Sequence, residues 1–448
     1  MSNLPFHVKG WCPGAKRPME SGDGFVLRIK PKMGVLNREQ ARTIGNIARD
    51  YGVAQIDITN KANVQIRGVR ENDIAKVSQL LADKYLLDES TVLESRRNIV
   101  VNPMLLLSGL RSKADLIYTQ LVNALDDYDH LITTPAKFSY LIDDYENPLL
   151  EKVGADIRFE IFPQSENTKV WLSFSGNRIT ATRVKCLDLD GAVALAIAAS
   201  TGFFDSGLER HQFKDWMIEY IDNAHLWLAA KAQQVNEKNV SCVNISRNLN
   251  EHYKLLAHTN KFTYVSRRFG EFSATQWQEV VDTMARVELD ELIVTPHRLL
   301  ILPRSLDKST IDNFQKQNAS STMDLNIYAC PGKPSCQSAH GTTRVLFDYI
   351  EVECGALMDG TVNVHISGCQ KGCAHPGRSE LTILVEPEGF RLGFGKSARG
   401  VNSELLSKSE LTLALNKLRD QYTHNQLLYK DAAEFMDALV PQEKNVPA

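Results

Sequence analysis

Short runs of alternating apolar and polar side chains separate two amphipathic helical patterns in the first ninety residues. The predicted elements are strands at residues 25–30, 56–59 and 64–68 and helices at residues 38–50 and 73–86. Asn37 is a favourable N-cap for the first helix, and Gly52 follows its last turn. The resulting order β-α-β-β-α is typical of a half-domain of the α+β class.

A related order of elements returns in the second half of the chain. The predicted elements there are a strand at residues 264–268, a helix that Ser273 caps and that runs through Arg286, and a broken strand pair within residues 292–302. Gly34 precedes Thr59 by 25 residues, and Gly270 precedes Thr295 by the same interval. A glutamine, Gln40 or Gln276, follows each glycine six residues later. This matched spacing predicts an internal duplication, with chance similarity of two α+β units as the alternative.

The remaining segments suggest two further domains. Residues 95–250 contain strand patterns at 156–162 and 169–174, a helix near 113–125 and a helical stretch at 191–235. After the second repeat come cysteine-containing loops and a mostly helical tail from Ser403. The predicted domains are residues 1–90 (N-terminal loop and first half-domain), 91–250 (first larger domain), 251–318 (second half-domain) and 319–448 (cysteine-containing domain and C-terminal helices).

Composition and charge indicate an ordinary globular protein with an anionic partner. The chain has 448 residues, 43% hydrophobic, with a net charge of −3. Residues 1–70 carry twelve Lys or Arg against five Asp or Glu, whereas the remainder of the chain is acidic. The basic residues alternate with apolar ones, which favours a small polyanion in a pocket over nucleic acid, with a solvated basic face as the alternative. We expect a cytoplasmic protein without a membrane partner, because no signal-peptide or membrane-spanning pattern is present.

Four of the eight cysteines occur in two close pairs in the last third of the chain. The pattern is C-x5-C, then C-x3-C, formed by Cys330, Cys336, Cys369 and Cys373. Converging thiolates select an iron–sulfur cluster or zinc, and the five-residue gap fits zinc knuckles poorly. A four-iron cluster is therefore the first interpretation, with a zinc knuckle plus a spare cysteine pair second and a disulfide framework third. The other four, Cys12, Cys186, Cys242 and Cys354, have no paired spacing and are interpreted as small hydrophobic side chains.

These patterns together resemble the sirohaem sulfite and nitrite reductase superfamily over most of residues 20–380. The run T-N-K-A-N-V-Q-I-R-G at residues 59–68 is similar to the family segment T-R-x-N-x-Q-x-R-G, and the cysteine spacing matches the family signature. F-V-L-R-I-K-P at residues 25–31, Arg97 in R-R-N-I and Lys137 in P-A-K-F also match family motifs. The resemblance implies an α+β fold of duplicated ferredoxin-like half-domains with two sulfite/nitrite reductase-type α+β domains.

Within this superfamily, the opening loop at residues 10–24 is similar to that of the precorrin-3B synthases. This resemblance implies an oxygen-dependent monooxygenase of aerobic cobalamin biosynthesis, which hydroxylates precorrin-3A at C20 and forms a γ-lactone. It also implies a 4Fe-4S cluster and a mononuclear non-haem iron. O2 and an external electron donor would be further partners, since no dinucleotide fingerprint occurs in the chain. Cys12 belongs to this loop, which would close over the substrate.

Two departures distinguish the chain from the reductases. Lys61 stands where the reductases have arginine, and Ser139 stands where they have a second lysine. Those basic groups help to deliver protons to a sulfur or nitrogen oxyanion, so a six-electron reductase is the less favoured interpretation. The alternatives that remain are a sirohaem-dependent sulfite or nitrite reductase and an iron–sulfur electron carrier or assembly protein without a catalytic pocket.

The resemblance also implies roles for individual residues. The predicted cluster ligands are Cys330, Cys336, Cys369 and Cys373, with Cys373 nearest the tetrapyrrole. The predicted substrate-binding residues are Arg28, Lys30, Lys61, Asn63, Gln65, Arg67, Arg97 and Lys137, because Arg and Lys suit a polycarboxylate. For each basic residue a surface ion pair is the alternative. His340, His365 and His375 lie near the cysteine loops but lack facial-triad spacing, so no catalytic residue or iron ligand is assigned.

Overall fold

The computed structural model describes residues 13–130, 132–135, 137–162, 168–228, 249–260, 262–307, 309 and 324–440. Cys12, Cys242 and the end of the predicted helical stretch, residues 229–235, lie outside the described residues. Residues 229–248 and 310–323, which lie next to or across the predicted boundaries at 250 and 318, are also outside the described residues. The four domain limits therefore stay a prediction. No helix in the described part of the chain is long and apolar enough to cross a bilayer.

The first half-domain forms largely where the sequence predicts it. Its elements are β1 (Met19–Ser21), β2 (Gly24–Ile29), β3 (Val35–Asn37), α1 (Arg38–Tyr51), β4 (Gln55–Ile58), β5 (Val64–Val69) and α2 (Ile74–Ala82). Asn37 begins α1 with a reciprocal capping box to Gln40. The second helix is shorter than the predicted 73–86. The chain reverses through Tyr85 at φ 56°, and this turn brings Leu86 back into the core.

The next domain is a five-stranded sheet covered by helices. Its strands are β6 (Ile99–Val101), β7 (Tyr140–Asp144), β8 (Ala155–Phe162), β9 (Lys169–Gly176) and β10 (Thr182–Asp188). Its helices are α3 (Thr91–Arg96), α4 (Pro103–Leu106), α5 (Arg111–Asp127), α6 (Leu189–Asp205) and α7 (Phe213–Leu228), and the next helix, α8 (Leu249–Asn260), packs against residues 263–266 and 324–326. The strand order is β10-β9-β8-β7-β6, with β6, β7 and β8 parallel. The helical stretch predicted from residue 191 is two helices, because the chain turns at Gly207 with φ 67°.

The second half-domain repeats the first in its unusual backbone conformations as well as in its elements. It comprises β11 (Thr263–Ser266), β12 (Glu271–Ser273), α9 (Ala274–Arg286), β13 (Glu291–Val294) and β14 (Leu299–Leu302). The left-handed residues Met33 and Ala62, at φ 55° and 54°, match Phe269 and Arg298, at φ 58° and 61°. Ser273 begins α9 with the same capping box that begins α1. Positive φ is uncommon for residues other than glycine, so this recurrence supports duplication over chance similarity.

The two half-domains exchange a strand. One sheet has the order β1-β2-β5-β4-β12 and the other has the order β11-β14-β13-β3. Strand β12 therefore completes the first repeat's sheet and β3 completes the second repeat's sheet. Helices α1 and α9 pack together, and the Trp277 Nε1–H donates to the Ala41 carbonyl at 2.7 Å. Neither repeat has a complete sheet without the other.

The last domain repeats the topology of the domain after the first half-domain. It comprises β15 (Ile327–Ala329), α10 (Arg344–Cys354), β16 (Val364–Ser367), β17 (Ser379–Glu386), β18 (Gly389–Lys396), α11 (Lys408–Asn425) and α12 (Ala432–Ala438). Strands β15, β16 and β17 are parallel and β18 is antiparallel to β17. In the same way, β6, β7 and β8 are parallel and β9 is antiparallel to β8. Cys330 directly follows β15, and its backbone N–H donates to the Ile366 carbonyl. Asn102 directly follows β6, and its backbone N–H donates to the Ile142 carbonyl in the same way. The predicted pair of α+β domains is thus present.

Candidate functional site

The four paired cysteines lie at one edge of the last sheet. Cys330 directly follows β15, and Cys369 and Cys373 follow its parallel neighbour β16. The carboxyl ends of parallel strands meet at the same edge, so the two sequence pairs converge there. The Gly368 N–H donates to Cys330 Sγ at 3.2 Å, which is the kind of backbone contact that stabilises a thiolate. Cys330 and Cys369 are buried, whereas Cys373 is exposed.

The four thiols share one electrostatic environment. Burial raises the pKa of Cys369 to about 11, and the charges of Cys373, Cys330 and Cys336 act in the same direction. All six described cysteines are free thiols, so a disulfide framework has no support among them. Among the described residues, no three His, Cys, Asp or Glu side chains are close enough to hold a single metal ion. The cluster and its four ligands therefore stay a prediction.

A row of polar side chains crosses the sheet of the first half-domain. Arg28 on β2 lies opposite Gln65 on β5, and Gln65 lies opposite Asp57 on β4. Since side chains alternate along a strand, Arg67 shares this face, while Ile66 points into the core with α1. Three predicted substrate residues therefore share one face of one sheet.

Arg67 connects this polar face to the first cysteine loop. Its guanidinium donates twice to Asp23, at 2.9 and 3.1 Å, and once to the Ser335 carbonyl at 2.8 Å. The Ser335 carbonyl also accepts from Ser21 Oγ at 2.5 Å. Arg67 is 4% exposed. The structure thus places Arg67 against the residue that precedes Cys336, where it holds the loop in position.

Arg344 makes a second connection that the sequence reasoning missed. It bridges Asp57 at 3.3 Å and Glu271, one residue from each half-domain. Burial lowers the pKa of Arg344, but Asp57, Glu271 and the nearby Cys330 together raise it above its ordinary value. No local pattern marks Arg344 in the sequence. Asp57 was detectable, because its alternation with the core-facing Ile56 and Ile58 places it in the polar row.

Arg97 and Lys30 form a buried group beside the row. Arg97 donates to both carboxylate oxygens of Asp88, to the Tyr118 hydroxyl at 2.7 Å and to the Lys30 carbonyl at 2.7 Å. These contacts use four of its five N–H groups. Lys30 Nζ donates to the Glu94 carbonyl at 2.5 Å and to Asn98 at 2.7 Å. Their substrate contacts stay a prediction, and this geometry favours a positioning role for Arg97.

Lys61, Asn63 and Lys137 occupy loops. Lys61 Nζ donates to the Gly154 carbonyl at 3.3 Å, and the Asn63 N–H donates to Thr59 Oγ1 at 3.2 Å. Lys137 is exposed, and its charge lowers the pKa of Cys373 against the larger raising effect of burial. The charge of Lys137, a predicted substrate-binding residue, therefore acts on Cys373, the cysteine that we expect nearest the tetrapyrrole.

The described part of the opening loop, residues 13–24, passes over β2 between two anchors. At one end, Glu94 accepts from the backbone N–H groups of Ala15 and Lys16, at 2.7 and 3.1 Å. The Arg28 N–H donates to the Gly14 carbonyl at 3.3 Å. At the other end, Gly22 and Ser21 contact Ser335. The loop thus crosses the strand that carries Arg28 and reaches the cysteine loop.

The three predicted histidines occupy different positions around the cysteines. The backbone N–H of His340 donates to the Gly368 carbonyl at 2.8 Å, and the His375 ring lies tilted against the Tyr328 ring with centroids 4.3 Å apart. His365 is fully buried in β16. None of these contacts assigns an iron ligand, and the mononuclear non-haem iron has no support among the described residues.

Two surface depressions of about 360 and 350 Å³ lie away from this region. The first is lined by residues around Arg286 and Arg304, and the second by the outer face of α11. Neither is lined by a predicted cluster ligand or substrate residue. The tetrapyrrole site beside the cysteines therefore stays a prediction.

Comparison with known proteins gives consistent similarities. The nitrite/sulfite reductase ferredoxin-like half domain matches residues 17–84. A precorrin-3B synthase from Sinorhizobium sp. is 24% identical over 440 residues, covering 95% of this chain and 90% of that protein. A ferredoxin-dependent sulfite reductase of Mycobacterium tuberculosis is 23% identical, covering 78% of this chain and 68% of the reductase. A ferredoxin–nitrite reductase of Synechococcus elongatus is also 23% identical, covering 84% and 79%.

A solved structure shows the same fold. The NirA protein of Mycobacterium tuberculosis matches with a TM-score of 0.67 and 16% identity, covering 92% of this chain and 83% of that chain. At this identity the match shows the fold alone. The predicted resemblance and the duplicated α+β fold are confirmed. The named relatives are enzymes, a synthase and reductases.

Proposed function

We propose that this chain is an oxygen-dependent monooxygenase of the precorrin-3B synthase type, which hydroxylates precorrin-3A at C20 and closes a γ-lactone. The observation that carries the proposal is the polar row of Arg28, Gln65 and Arg67, in which Arg67 contacts the cysteine loop and Arg28 contacts residues 13–24. The similarity to a precorrin-3B synthase over 95% of the chain supports the same choice.

The four converging thiols would hold a 4Fe-4S cluster. Their free state, their mutual electrostatic effect and the N–H that Gly368 directs at Cys330 Sγ fit such a group. When bound, the cluster supplies single electrons from an external donor. Metal binding displaces thiol protons, so loading is expected to release protons. The proposal contains no mononuclear iron.

The basic side chains would bind and orient the carboxylates of precorrin-3A. Arg28 in the polar row, Lys137 with its charge acting on Cys373, and Lys61 in the turn between β4 and β5 would contact carboxylates directly, with Asn63 and Gln65 as amide partners. Lys30 would add a charge near Arg28, whereas Arg97 would hold Lys30 in place through its carbonyl contact. Arg67 would keep the loop before Cys336 in position. Charge-assisted bonds of this kind contribute about 1.5–3 kcal/mol each.

Anaerobically purified protein is expected to take up O2 only when precorrin-3A and a one-electron donor are both present. One oxygen atom of O2 enters the product, and the other leaves as water with two electrons from the donor. Mass spectrometry of the product after reaction with isotopically labelled O2, together with an oxygen electrode, measures both. Product without labelled oxygen would overturn the proposal.

The same protein sample tests the alternative function, a sirohaem-dependent sulfite or nitrite reductase, which the similarity to such reductases favours. Strong sirohaem bands with reduction of sulfite or nitrite by reduced methyl viologen would establish it. Ser139 argues against it, because its N–H and Oγ both donate to Asp156, at 2.8 and 3.0 Å, where the reductases carry a lysine. A protein that binds no tetrapyrrole would be an electron carrier.

Affinity for precorrin-3A is expected to fall about tenfold or more as the pH rises from about 7 to about 9. Burial, and then the charge of Arg210, lowers the pKa of Lys61 to about 8. Burial and Arg97 lower the pKa of Lys30 to about 8. Both side chains are cationic below these values and neutral above them, so their attraction for carboxylates disappears in this window. Fluorescence or absorbance titrations at several pH values measure the change.

Lys61→Arg is the matched variant for this titration. Arginine stays cationic throughout the range, so the fall in affinity should become shallower. An identical pH profile in the variant and the unsubstituted protein would remove Lys61 from the binding site.

A further inference from the structure

His365 is a buried imidazole without a hydrogen-bond partner among the described residues. It lies in β16 between Tyr328 on β15 and Thr382 on β17, and it is 0% exposed. Neither its Nδ1 nor its Nε2 has a partner in the part of the chain that the structure describes. A buried polar group left unpaired costs about 1–3 kcal/mol, and the great majority of such groups are paired. The position therefore indicates a partner other than the protein's own described side chains.

The ring lies beneath the loop that carries the second cysteine pair. Gly372, between Cys369 and Cys373, adopts φ 62°, and a Cβ there would lie 3.7 Å from His365 Cε1. The His375 ring, two residues beyond Cys373, is 5.8 Å from the His365 ring between centroids. His375 differs in having a partner, since its Nε2 lies 3.1 Å from the Arg378 carbonyl. Of these two described imidazoles against the loop, His365 is thus the one without a partner.

The groups around His365 determine the protonation state of its ring and the hydrogen bonds that the ring can make. Burial, and then His375 and Arg298, lowers the pKa of His365 to about 3, so the ring is neutral and carries one N–H donor. The nearby Arg298 guanidinium does not satisfy the ring's acceptor. It donates instead to the Ile327 carbonyl at 2.8 Å and lies over the Tyr328 ring. The ring therefore offers an unpaired N–H next to the loop that carries Cys369 and Cys373.

We infer that His365 is a positioning residue that donates an N–H hydrogen bond to the cluster held by the Cys369–Cys373 loop and raises its reduction potential. The inference rests on the proposed function, because it requires that cluster. A hydrogen bond to a cluster sulfur stabilises the more negative, reduced state, which moves the potential upward. A buried water is the competing partner for the same N–H.

The experiment compares His365→Leu, His365→Gln and the control His375→Gln in full-length protein purified anaerobically. Iron and sulfide analysis first establishes whether each protein holds four irons and four sulfides. Redox titration monitored by electron paramagnetic resonance then gives the midpoint potential. His365→Leu is expected to shift the potential downward, His365→Gln to restore most of the shift through its amide N–H, and His375→Gln to leave the potential unchanged.

A second measurement does not depend on the folding of the leucine variant. In protein labelled with ¹⁵N-histidine, pulsed electron paramagnetic resonance of the reduced cluster should detect one histidine nitrogen, which His365→Gln removes and His375→Gln retains. A loaded cluster without this coupling, or equal potentials in all four proteins, would assign the N–H to water and overturn the inference. Unsubstituted protein without any cluster would overturn the proposed function itself, and the inference with it.

Discussion

Cys369→Ser is expected to purify with most of its cluster iron missing and with a clearly lowered thermal stability. Serine is a much poorer ligand for iron than a thiolate, and cluster binding contributes directly to the folding of the loops that carry the ligands. Cys369 is buried beside Cys330, Cys336 and Cys373, so its loss would leave the cluster with three of its four thiolate ligands. Iron and sulfide analysis of anaerobically purified protein, with thermal unfolding followed by circular dichroism, measures both effects.

Cys354→Ser is the matched control for this experiment. Cys354 is 0% exposed in the same domain, and its Sγ lies 3.5 Å from the Leu415 carbonyl. The control therefore buries a hydroxyl in the same fold but at a distance from the paired cysteines. It should lose some stability and keep its iron. A Cys369→Ser protein with four irons per chain would contradict the ligand assignment.

Arg158→Met is expected to lower the free energy of unfolding by roughly 3–5 kcal/mol, since it removes one partner of a buried ionic group. Arg158 Nη2 lies 2.5 Å from Asp143 Oδ2, and its Nε lies 3.3 Å from Glu160 Oε1. All three side chains are fully buried. Methionine fills a similar volume but removes the arginine from Asp143, whereas Glu160 keeps the buried Arg178 at 3.2 Å. Urea denaturation followed by circular dichroism measures the change.

Arg183→Met provides the contrast. Arg183 contacts the same Glu160 carboxylate at 3.4 Å, but its side chain is 38% exposed. Water screens this pair, so we expect a loss of about 1 kcal/mol or less. Equal losses in the two variants would show that burial of Arg158 is not what makes its ion pairs important.

The Arg158 group also explains how the domain with β6 to β10 differs from its structural repeat. Asn102 follows β6 at the position where Cys330 follows β15, and its side chain donates to Asp143 at 2.7 Å. The equivalent sheet edge therefore carries a self-contained network of amide, carboxylate and guanidinium groups. The cysteine-containing domain has thiols there instead. The two domains therefore share one sheet topology but carry different groups at the same edge, an ionic network in one and thiols in the other.

Local patterns predicted most of the half-domain elements. The capping residues Asn37 and Ser273 begin their helices as expected, and the strand pairs on either side of residues 60–63 and 295–298 form at the predicted positions. These features depend on contacts within a few residues, which a single sequence displays. The short strands β3 and β12 were not predicted, because each is three residues long and pairs only with the other repeat.

In the candidate site too, some features follow from local sequence patterns and others only from the folded structure. Alternation of side chains along β2 and β5 is a local property, and it is sufficient to place Arg28, Gln65 and Arg67 on one face. The sequence contained no sign that Arg67 holds the loop before Cys336, or that Arg344 joins Asp57 to Glu271. Ser335 is 268 residues from Arg67 along the chain, and Asp57 is 287 residues from Arg344, so only folding brings these partners together.

By itself the sequence determined most helices and strands of the two half-domains, the matched spacing of the repeats and the spacing of its four thiols, because each of these depends on residue types at short range in the chain. Only the tertiary structure decided which strands the two repeats exchange, which arginines are committed to internal ion pairs and which buried histidine of the described residues has no hydrogen-bond partner. Those outcomes depend on which groups lose their contact with water when distant segments pack. A buried charge or imidazole must then find a partner wherever the fold provides one.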